Sequence, residues 1–164
     1  MSKKIVIVGA LGYLGTELCK IYSGESWNNK IVALDSRFIS ERVSQLKDWN
    51  IEFFQGEILD LGFLQKHLTD ADVVHHLAGV TDVAYVKTQA NSELDERIRS
   101  IAVNGTNNIL KSIQSHCKLI FPSTHVVFEG FSEAKENIAE NENTKPILMY
   151  SKSKVQNEID IKNS

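Results

Sequence analysis

Residues 4–15 read KIVIVGALGYLG, and the organisation of the whole chain can be read outward from them. A short apolar, β-branched run, Lys4–Val8, leads directly into Gly9, Gly12 and Gly15, a G-x-x-G-x-x-G spacing that opens an amphipathic stretch. That order is strand, tight turn, helix. Glycine lets such a turn be tight and its backbone come close to a bound pyrophosphate, whose charge the N-terminus of the following helix meets. Gly9, Gly12, Tyr13, Leu14 and Gly15 are therefore candidate anion-binding residues. Taken alone, the three glycines are equally compatible with ordinary turn chemistry.

The same alternation continues. Further strands are predicted at Lys30–Leu34, Ile51–Gln55, Asp72–His76 and Lys118–Pro122. Helices are predicted near Gly12–Ser23, Ile39–Trp49, Leu61–Leu68, Ser92–Ser115 and Ile147–Ile161. Short β-branched runs separated by longer amphipathic ones signal βαβ units, whose crossovers are right-handed. The expected fold class is α/β, a Rossmann-type doubly wound parallel sheet with helices on both faces, forming one domain over 1–164. In the fourth helix Ile98, Ile101, Ala102, Gly105, Ile109 and Ile113 recur at helical steps, predicting one apolar stripe against the sheet. The long polar loops Gly79–Asn91 and Glu129–Lys145 follow strands at the carboxyl edge, where ligands bind in such sheets.

Asp35 sharpens the reading of the glycines. It ends the second strand 20 residues after Gly15, where a carboxylate can accept hydrogen bonds from both hydroxyls of a ribose. Together they point to a dinucleotide, and a carboxylate there repels a 2′-phosphate, favouring NAD over NADP. Arg37 leaves two readings open, a partner for a 2′-phosphate or a solvated surface charge.

Composition narrows the partners. The 164 residues are 42% hydrophobic and 24% charged, ordinary for a globular domain, and 18 basic against 21 acidic residues give a net charge of −3. That balance carries no footprint for nucleic acid or an anionic membrane, so a small-molecule ligand is expected. Cys19 and Cys117 are too far apart for a C-x-x-C pair and are read as buried free thiols. Ile5–Val8 is too short for a signal-peptide core, and no segment approaches the roughly 18 apolar residues of a membrane span. The expected location is the cytoplasm.

Tyr150 and Lys154, four apart, share a helical face about one turn apart. A phenol with an ordinary pKa of about 10 is a poor base at neutral pH, and a neighbouring ammonium favours the phenolate. That describes a general acid/base for a carbinol proton. The pair follows the fifth strand, whose end carries the hydroxyls of Ser123 and Thr124, able to orient a substrate oxygen.

With these motifs in hand, the chain resembles the extended short-chain dehydrogenase/reductase family, which includes sugar-nucleotide epimerases and dehydratases. The matching segments run in family order along the whole chain: GALGYLG at 9–15, Asp35, GEILD at 56–60, HLAG at 76–79, VNGTNNIL at 103–110, PSTHVVFEG at 122–130 and YSKSKVQNE at 150–158. The resemblance implies that Thr124 is the catalytic hydroxyl and Tyr150 the base. Lys154 would hold the nicotinamide ribose and favour the ionised tyrosine. It further implies that Glu57 and Ile58 border the adenine and that Leu77, Ala78 and Gly79 line the path to the nicotinamide. It implies a nucleotide-sugar substrate, bound NAD, an epimerase or dehydratase cycle with transient hydride transfer, and a homodimer through a four-helix bundle.

The chain departs from the family pattern in four places. Ala102 stands where the family has asparagine, Phe128 where it has tyrosine, and Glu129 is inserted before Gly130. The family continues into a second lobe that binds the substrate, so a chain ending at Ser164 is expected to lack that lobe and, alone, to bind cofactor without turnover. Two rival readings stay open: a non-catalytic NAD(P)-binding sensor or scaffold, and an NADP-dependent carbonyl reductase of the same family. His75 and His76, with no suitably spaced Cys or carboxylates, predict no metal site. His125 is weighed as a substrate contact against a plain loop histidine, and Trp27 and Trp49 are expected to pack at helix ends.

Overall fold

A computed structural model describes residues 2–24, 28–80, 92–133 and 135–164. Trp27 and most of the Gly79–Asn91 loop lie outside the described residues. The chain forms two compact units: Met1–Gly79 with Gly105–Pro122, and Val80–Asn104 with Ser123–Ser164.

The first unit holds five parallel strands, β1 (Lys4–Val8), β2 (Lys30–Asp35), β3 (Glu52–Gln55), β4 (Val73–His76) and β5 (Lys118–Ile120), in the order β3-β2-β1-β4-β5. A strand covered on both faces is apolar at every position, and Ile5, Val6, Ile7 and Val8 are all buried. Strand order reverses on leaving β3 for β4 on the far side of β1, which creates a switch point at the carboxyl end of β1.

Two consecutive histidines show that both faces are covered. His75, in register with Ile7, shares a hydrogen bond of 2.8 Å with the Tyr22 hydroxyl on helix α1 (Tyr13–Gly24). His76, in register with Val8, points the other way and shares one of 2.9 Å with Thr106 on helix α5 (Gly105–Ser112). Burial pushes the His75 pKa below its usual value. Both are buried core histidines, and among the described residues no three metal-binding side chains gather.

On the α1 side, Ile5, Ile7, Ile31 and Ala33 pack with Cys19 of α1 and Leu46 of α2 (Ser40–Asp48). Trp49, just past α2, packs against this core. The Cys19 thiol, fully buried there, is pushed up to about 12 by burial, while Cys117 is half-buried. Helix α3 (Leu61–Leu68) starts at Asp60, whose carboxylate accepts from the Phe63 N–H at 2.9 Å, and it packs against α5.

The stretch expected as one helix over Ser92–Ser115 is three segments: α4 (Ser92–Arg99), a π-helical segment (Ser100–Asn104) and α5. A π turn inserts an extra residue and rotates everything beyond it, so a stripe at regular α-helical spacing cannot stay on one face. Its two ends belong to different units. Thr106 and Ile109 are buried in the first, whereas α4 packs in the second against α6 (Met149–Lys162). Gly105 opens α5 because a Cβ there would lie 2.9 Å from the Ile58 Cδ1.

The second unit combines α4, the π-helical segment, a 3₁₀ turn (His125–Phe128) and α6. The buried residues of α6 are polar, Ser151, Ser153 and Asn157. No helix among the described residues is long and apolar enough to cross a membrane.

Candidate functional site

In the first unit the chain leaves β1 at Gly9 with φ 89°, a left-handed conformation that side chains other than glycine rarely adopt. A Cβ at Gly9 would also lie 2.6 Å from the Ala78 nitrogen. The Gly9 and Ala10 N–H groups donate to the Leu34 carbonyl at 2.8 and 3.0 Å, tying the turn to the end of β2. At Gly15 a Cβ would sit 2.7 Å from the Ala10 Cα, so the first turn of α1 closes onto the loop only without a side chain. Tyr13 and Leu14 stand exposed at the head of α1.

Asp35 ends β2 with its carboxylate only 4% exposed. Oδ2 accepts from the Leu11 N–H at 2.9 Å, and Oδ1 accepts from the Arg37 N–H at 3.0 Å and Nε at 3.1 Å. Arg37 Nη2 adds a contact of 3.3 Å to Oδ2. The guanidinium is thus the partner of Asp35 as well as a surface charge, and this hydrogen bond pushes the Arg37 pKa above its usual value. Arg42, on α2, donates through Nη1 to the Leu11 carbonyl. Nothing in the sequence singled it out, because its partner lies 31 residues away.

The other expected cofactor residues divide. Leu77, Ala78 and Gly79 follow β4: the Leu77 N–H donates to the Val8 carbonyl at 2.8 Å, and the Ala78 backbone passes beside Gly9. Glu57 is exposed, but the Ile58 side chain is buried against Gly105, so of this pair Glu57 presents its side chain outward. Asn108 on α5 holds this turn through Nδ2, 3.3 Å from the Ile58 carbonyl and 3.1 Å from that of Leu59. A cavity of about 650 Å³ in the same unit lies at the opposite, amino end of the strands, lined by Lys3, Ile5, Tyr22, Val73, Lys118 and Ile120 among others. It touches neither the glycine turn nor Asp35.

The second unit contains Thr124, Tyr150 and Lys154. Thr124 caps the 3₁₀ turn, its Oγ1 accepting from the Val126 N–H at 3.3 Å. Tyr150 lies in the first turn of α6, and Lys154 Nζ stands 5.9 Å from the centre of its ring. Burial lowers the Lys154 pKa to about 8, with the Glu158 carboxylate acting in the opposite direction. Ser123, the other hydroxyl at this point of the chain, donates to Glu158 and is thereby committed. His125 is exposed at the start of the 3₁₀ turn.

Two departures from the family pattern acquire structural roles. Phe128 stacks on Phe131, ring centres 6.0 Å apart, with Lys135 Nζ 4.3 Å above the Phe131 ring. Glu129 turns back onto the start of α6: its Oε1 accepts from the Ile147 and Leu148 N–H groups, each at 2.7 Å, and from the Ser151 hydroxyl. Burial alone would raise the Glu129 pKa, but these hydrogen bonds outweigh it and hold the carboxyl below its usual range.

The sequence model of the 3-beta hydroxysteroid dehydrogenase/isomerase family matches residues 6–164. A dTDP-D-glucose 4,6-dehydratase from Dictyostelium discoideum is 28% identical over 89% of this chain and 36% of its own length. Among solved structures, UDP-glucuronic acid 4-epimerase from Bacillus cereus, in complex with NAD and a fluorinated UDP-sugar, matches with a TM-score of 0.78 at 23% identity, over 98% of this chain and 51% of that one. UDP-glucose 4-epimerase from Brucella ovis, in complex with NAD, gives a TM-score of 0.77 at 23% identity, over 99% and 47%. The chain thus spans about a third of that curated relative and about half of those solved chains.

Proposed function

The chain belongs to the 3-beta hydroxysteroid dehydrogenase/isomerase family, and with it to the extended short-chain dehydrogenase/reductases, and from that premise we propose that it oxidises a secondary carbinol of a nucleotide sugar with bound NAD, within an epimerase or dehydratase cycle. The observation that carries the reading is the Tyr150–Lys154 pair on α6, in the same unit as the Thr124 hydroxyl.

The residues of the first unit fit a dinucleotide. Gly9 and Gly15 let the turn close tightly onto its own backbone and onto the head of α1, whose N-terminus can meet a pyrophosphate's charge, and Asp35 stands at the end of β2 with hydrogen-bonding partners of its own that a ribose can exchange. Gly9, Gly12, Tyr13, Leu14 and Gly15 would hold the pyrophosphate, Asp35 and Arg37 the adenine ribose, and Glu57 and Ile58 the adenine edge. Leu77, Ala78 and Gly79 would flank the nicotinamide arm, and Tyr150 and Lys154 its ribose. When bound, NAD supplies the acceptor for the hydride leaving the carbinol carbon.

The chain's own residues manage the proton. Tyr150 Oη takes the carbinol hydroxyl proton as the carbonyl forms, and returns it when the carbonyl is reduced. Lys154, largely protonated at neutral pH with a pKa near 8, supplies the positive charge beside the phenol that favours this transfer. Thr124 Oγ1 accepts from Val126 and so keeps its own proton to donate to the substrate oxygen.

A second reading rests on the family's name: the carbinol could belong to a 3-hydroxysteroid, with the same proton path. One experiment separates the readings. The protein is incubated with NAD and, in parallel, UDP-sugars, dTDP-sugars and 3-hydroxysteroids, with NADH absorbance and product analysis as readouts. Residues 1–164 alone are expected to bind NAD without turnover, and a form that carries the family's substrate lobe is expected to convert a sugar nucleotide at a rate that falls about 100-fold or more in Tyr150→Phe with NAD still bound. Conversion of steroid alone selects the second reading, and a fully active Tyr150→Phe overturns both. A cytoplasmic location and a homodimer joined through α4 and α6 complete the proposal. Exposed Ile159 on α6 supports the pairing, and sedimentation showing only monomer would exclude it.

A further inference from the structure

Helix α6 begins without a capping side chain of its own: the residue before it, Leu148, offers no acceptor. The first N–H groups of a helix need acceptors, and a helix end lacking them frays. Here the acceptor arrives from outside the helix. Glu129 Oε1 takes the N–H groups of Ile147 and Leu148, the two residues that lead into α6, at 2.7 Å each and, inside the first turn, the hydroxyl of Ser151, which is fully buried. An anion in that position also meets the positive end of the helix dipole.

The same carboxylate belongs to the turn that begins at Thr124. The 3₁₀ segment His125–Phe128 leads straight into Glu129. Backbone bonds lace this segment to the approach to α6, the Lys145 N–H donating to the Val127 carbonyl at 2.8 Å and the Gly130 N–H to the Lys145 carbonyl at 2.9 Å. No side chain fits at Gly130, where a Cβ would run into the Lys145 carbonyl oxygen. Glu129 therefore joins the turn that presents Thr124 to the helix that presents Tyr150 and Lys154.

We propose that Glu129 is a positioning residue: its carboxylate clamps the first turn of α6 onto the Thr124 turn and so holds Tyr150 and Lys154 in their working, partly desolvated setting. This deepens the proposed function and rests on its assignment of Tyr150 and Lys154, but its test does not need turnover. If the clamp opens, the head of α6 loosens, water reaches Lys154, and the ammonium regains an ordinary affinity for its proton. Among the described residues, the Glu158 carboxylate acts on Lys154 in the sense opposite to burial, and it accepts from the Ser123 hydroxyl.

The test is an NMR titration of protein carrying ¹³C-labelled lysine, with Lys154 assigned by loss of its signal in Lys154→Arg. In the unaltered protein Lys154 is expected to titrate near 8. Glu129→Leu, which removes the acceptor, should move that midpoint upward by about one unit or more towards the ordinary value of about 10.4. Glu129→Gln, which keeps one neutral oxygen, should move it less in the same direction. Circular dichroism establishes that the variants are folded. If the leucine variant does not fold, the glutamine variant decides alone. An unmoved Lys154 in a folded variant overturns the proposal, as does a Lys154 that titrates near 10.4 in the unaltered protein. Failure of the carbinol reading would instead show as full activity in Tyr150→Phe with the titration result intact.

Discussion

At Gly9 the chain shapes a candidate binding turn by leaving a side chain out, whereas at the head of α6 it shapes a candidate catalytic element by bringing one in from a distance. The glycine turn is set by covalent geometry within a few residues, a left-handed φ of 89° and a backbone neighbour 2.6 Å from where a Cβ would stand. The head of α6 is set by a charge, Glu129, acting on groups 18 and 19 residues away. The first arrangement should tolerate no substitution and be insensitive to pH. The second should tolerate conservative replacement and respond to protons.

The largest expected effect tests the first half of that contrast. Gly9→Ala places a Cβ against Ala78 in a strained φ, two costs that no side-chain rearrangement relieves because the obstacle is backbone. We expect a loss of roughly 3 kcal/mol or more of stability, together with NAD binding, measured by urea unfolding and calorimetry. A loss under about 1 kcal/mol would show that the turn relaxes, and would end the contrast with α6.

The next effect has the opposite sign and belongs to the second unit. Lys154 has a pKa of about 8 in the folded chain against 10.5 ordinarily. Between those values the unfolded chain holds a proton that the folded chain has released, so stability rises with pH across that window, and below pH 8 the full penalty is present. At about 1.4 kcal/mol per unit the penalty at neutral pH is of order 1–3 kcal/mol, reduced by the water that still reaches the ammonium. Lys154→Met should therefore stabilise the protein at pH 7 and flatten the dependence of stability on pH between about 8 and 10.5, seen as melting temperature against pH. An unstabilised, unflattened variant would mean that Lys154 is solvated and that α6 carries no such tension.

A third effect lies where the two modes meet in a single residue. Asp35 is a locally placed carboxylate whose partners are both backbone, the Leu11 N–H, and side chain, Arg37. Asp35→Ala should weaken NAD by about 1–3 kcal/mol, the worth of hydrogen bonds to a charged group, and narrow its advantage over NADP because Arg37 is released to meet a 2′-phosphate. Calorimetry with both nucleotides checks this, and an unchanged ratio would remove Arg37 from any part in nucleotide choice.

The contrast also explains which parts were legible in the sequence. Gly9, Gly12, Gly15 and Asp35 could be found because turns and strand ends depend on residue type at fixed local spacing, and the parallel strands because burial on both faces leaves a continuous apolar run. Tyr150 and Lys154 were visible for the same reason, as neighbours on one helix. Arg42, Asn108 and Glu129 were not, since each acts on backbone groups 18 to 50 residues away. Glu129 left a trace only as an insertion before Gly130, pointing to an altered substrate loop and not to a partner at the head of α6. The break in the Ser92–Ser115 helix was hidden because a π-helical insertion keeps the same residue types and changes only the direction they face.

The smallest effect asks whether distant side chains also matter in the first unit, where local geometry dominates. Asn108 reaches from α5 to the Ile58 and Leu59 carbonyls across about 50 residues of sequence, as Glu129 reaches α6, but it is neutral and its acceptors lie at 3.1–3.3 Å. A neutral hydrogen bond of that kind contributes roughly 0.5–1.5 kcal/mol net, and Leu59 beside it is open to water that can replace the lost donor. Asn108→Ala should thus cost about 1 kcal/mol in urea unfolding, weaken NAD by no more than about threefold, and leave the titration of Lys154 where it was. The turn it steadies also rests on Ile58 packed against Gly105, so the turn keeps a second anchor when the amide is gone. Loss of NAD binding on the scale expected for Asp35→Ala would show that the 57–59 turn is held from afar as the head of α6 is, and that the first unit owes less to local geometry than Gly9 suggests.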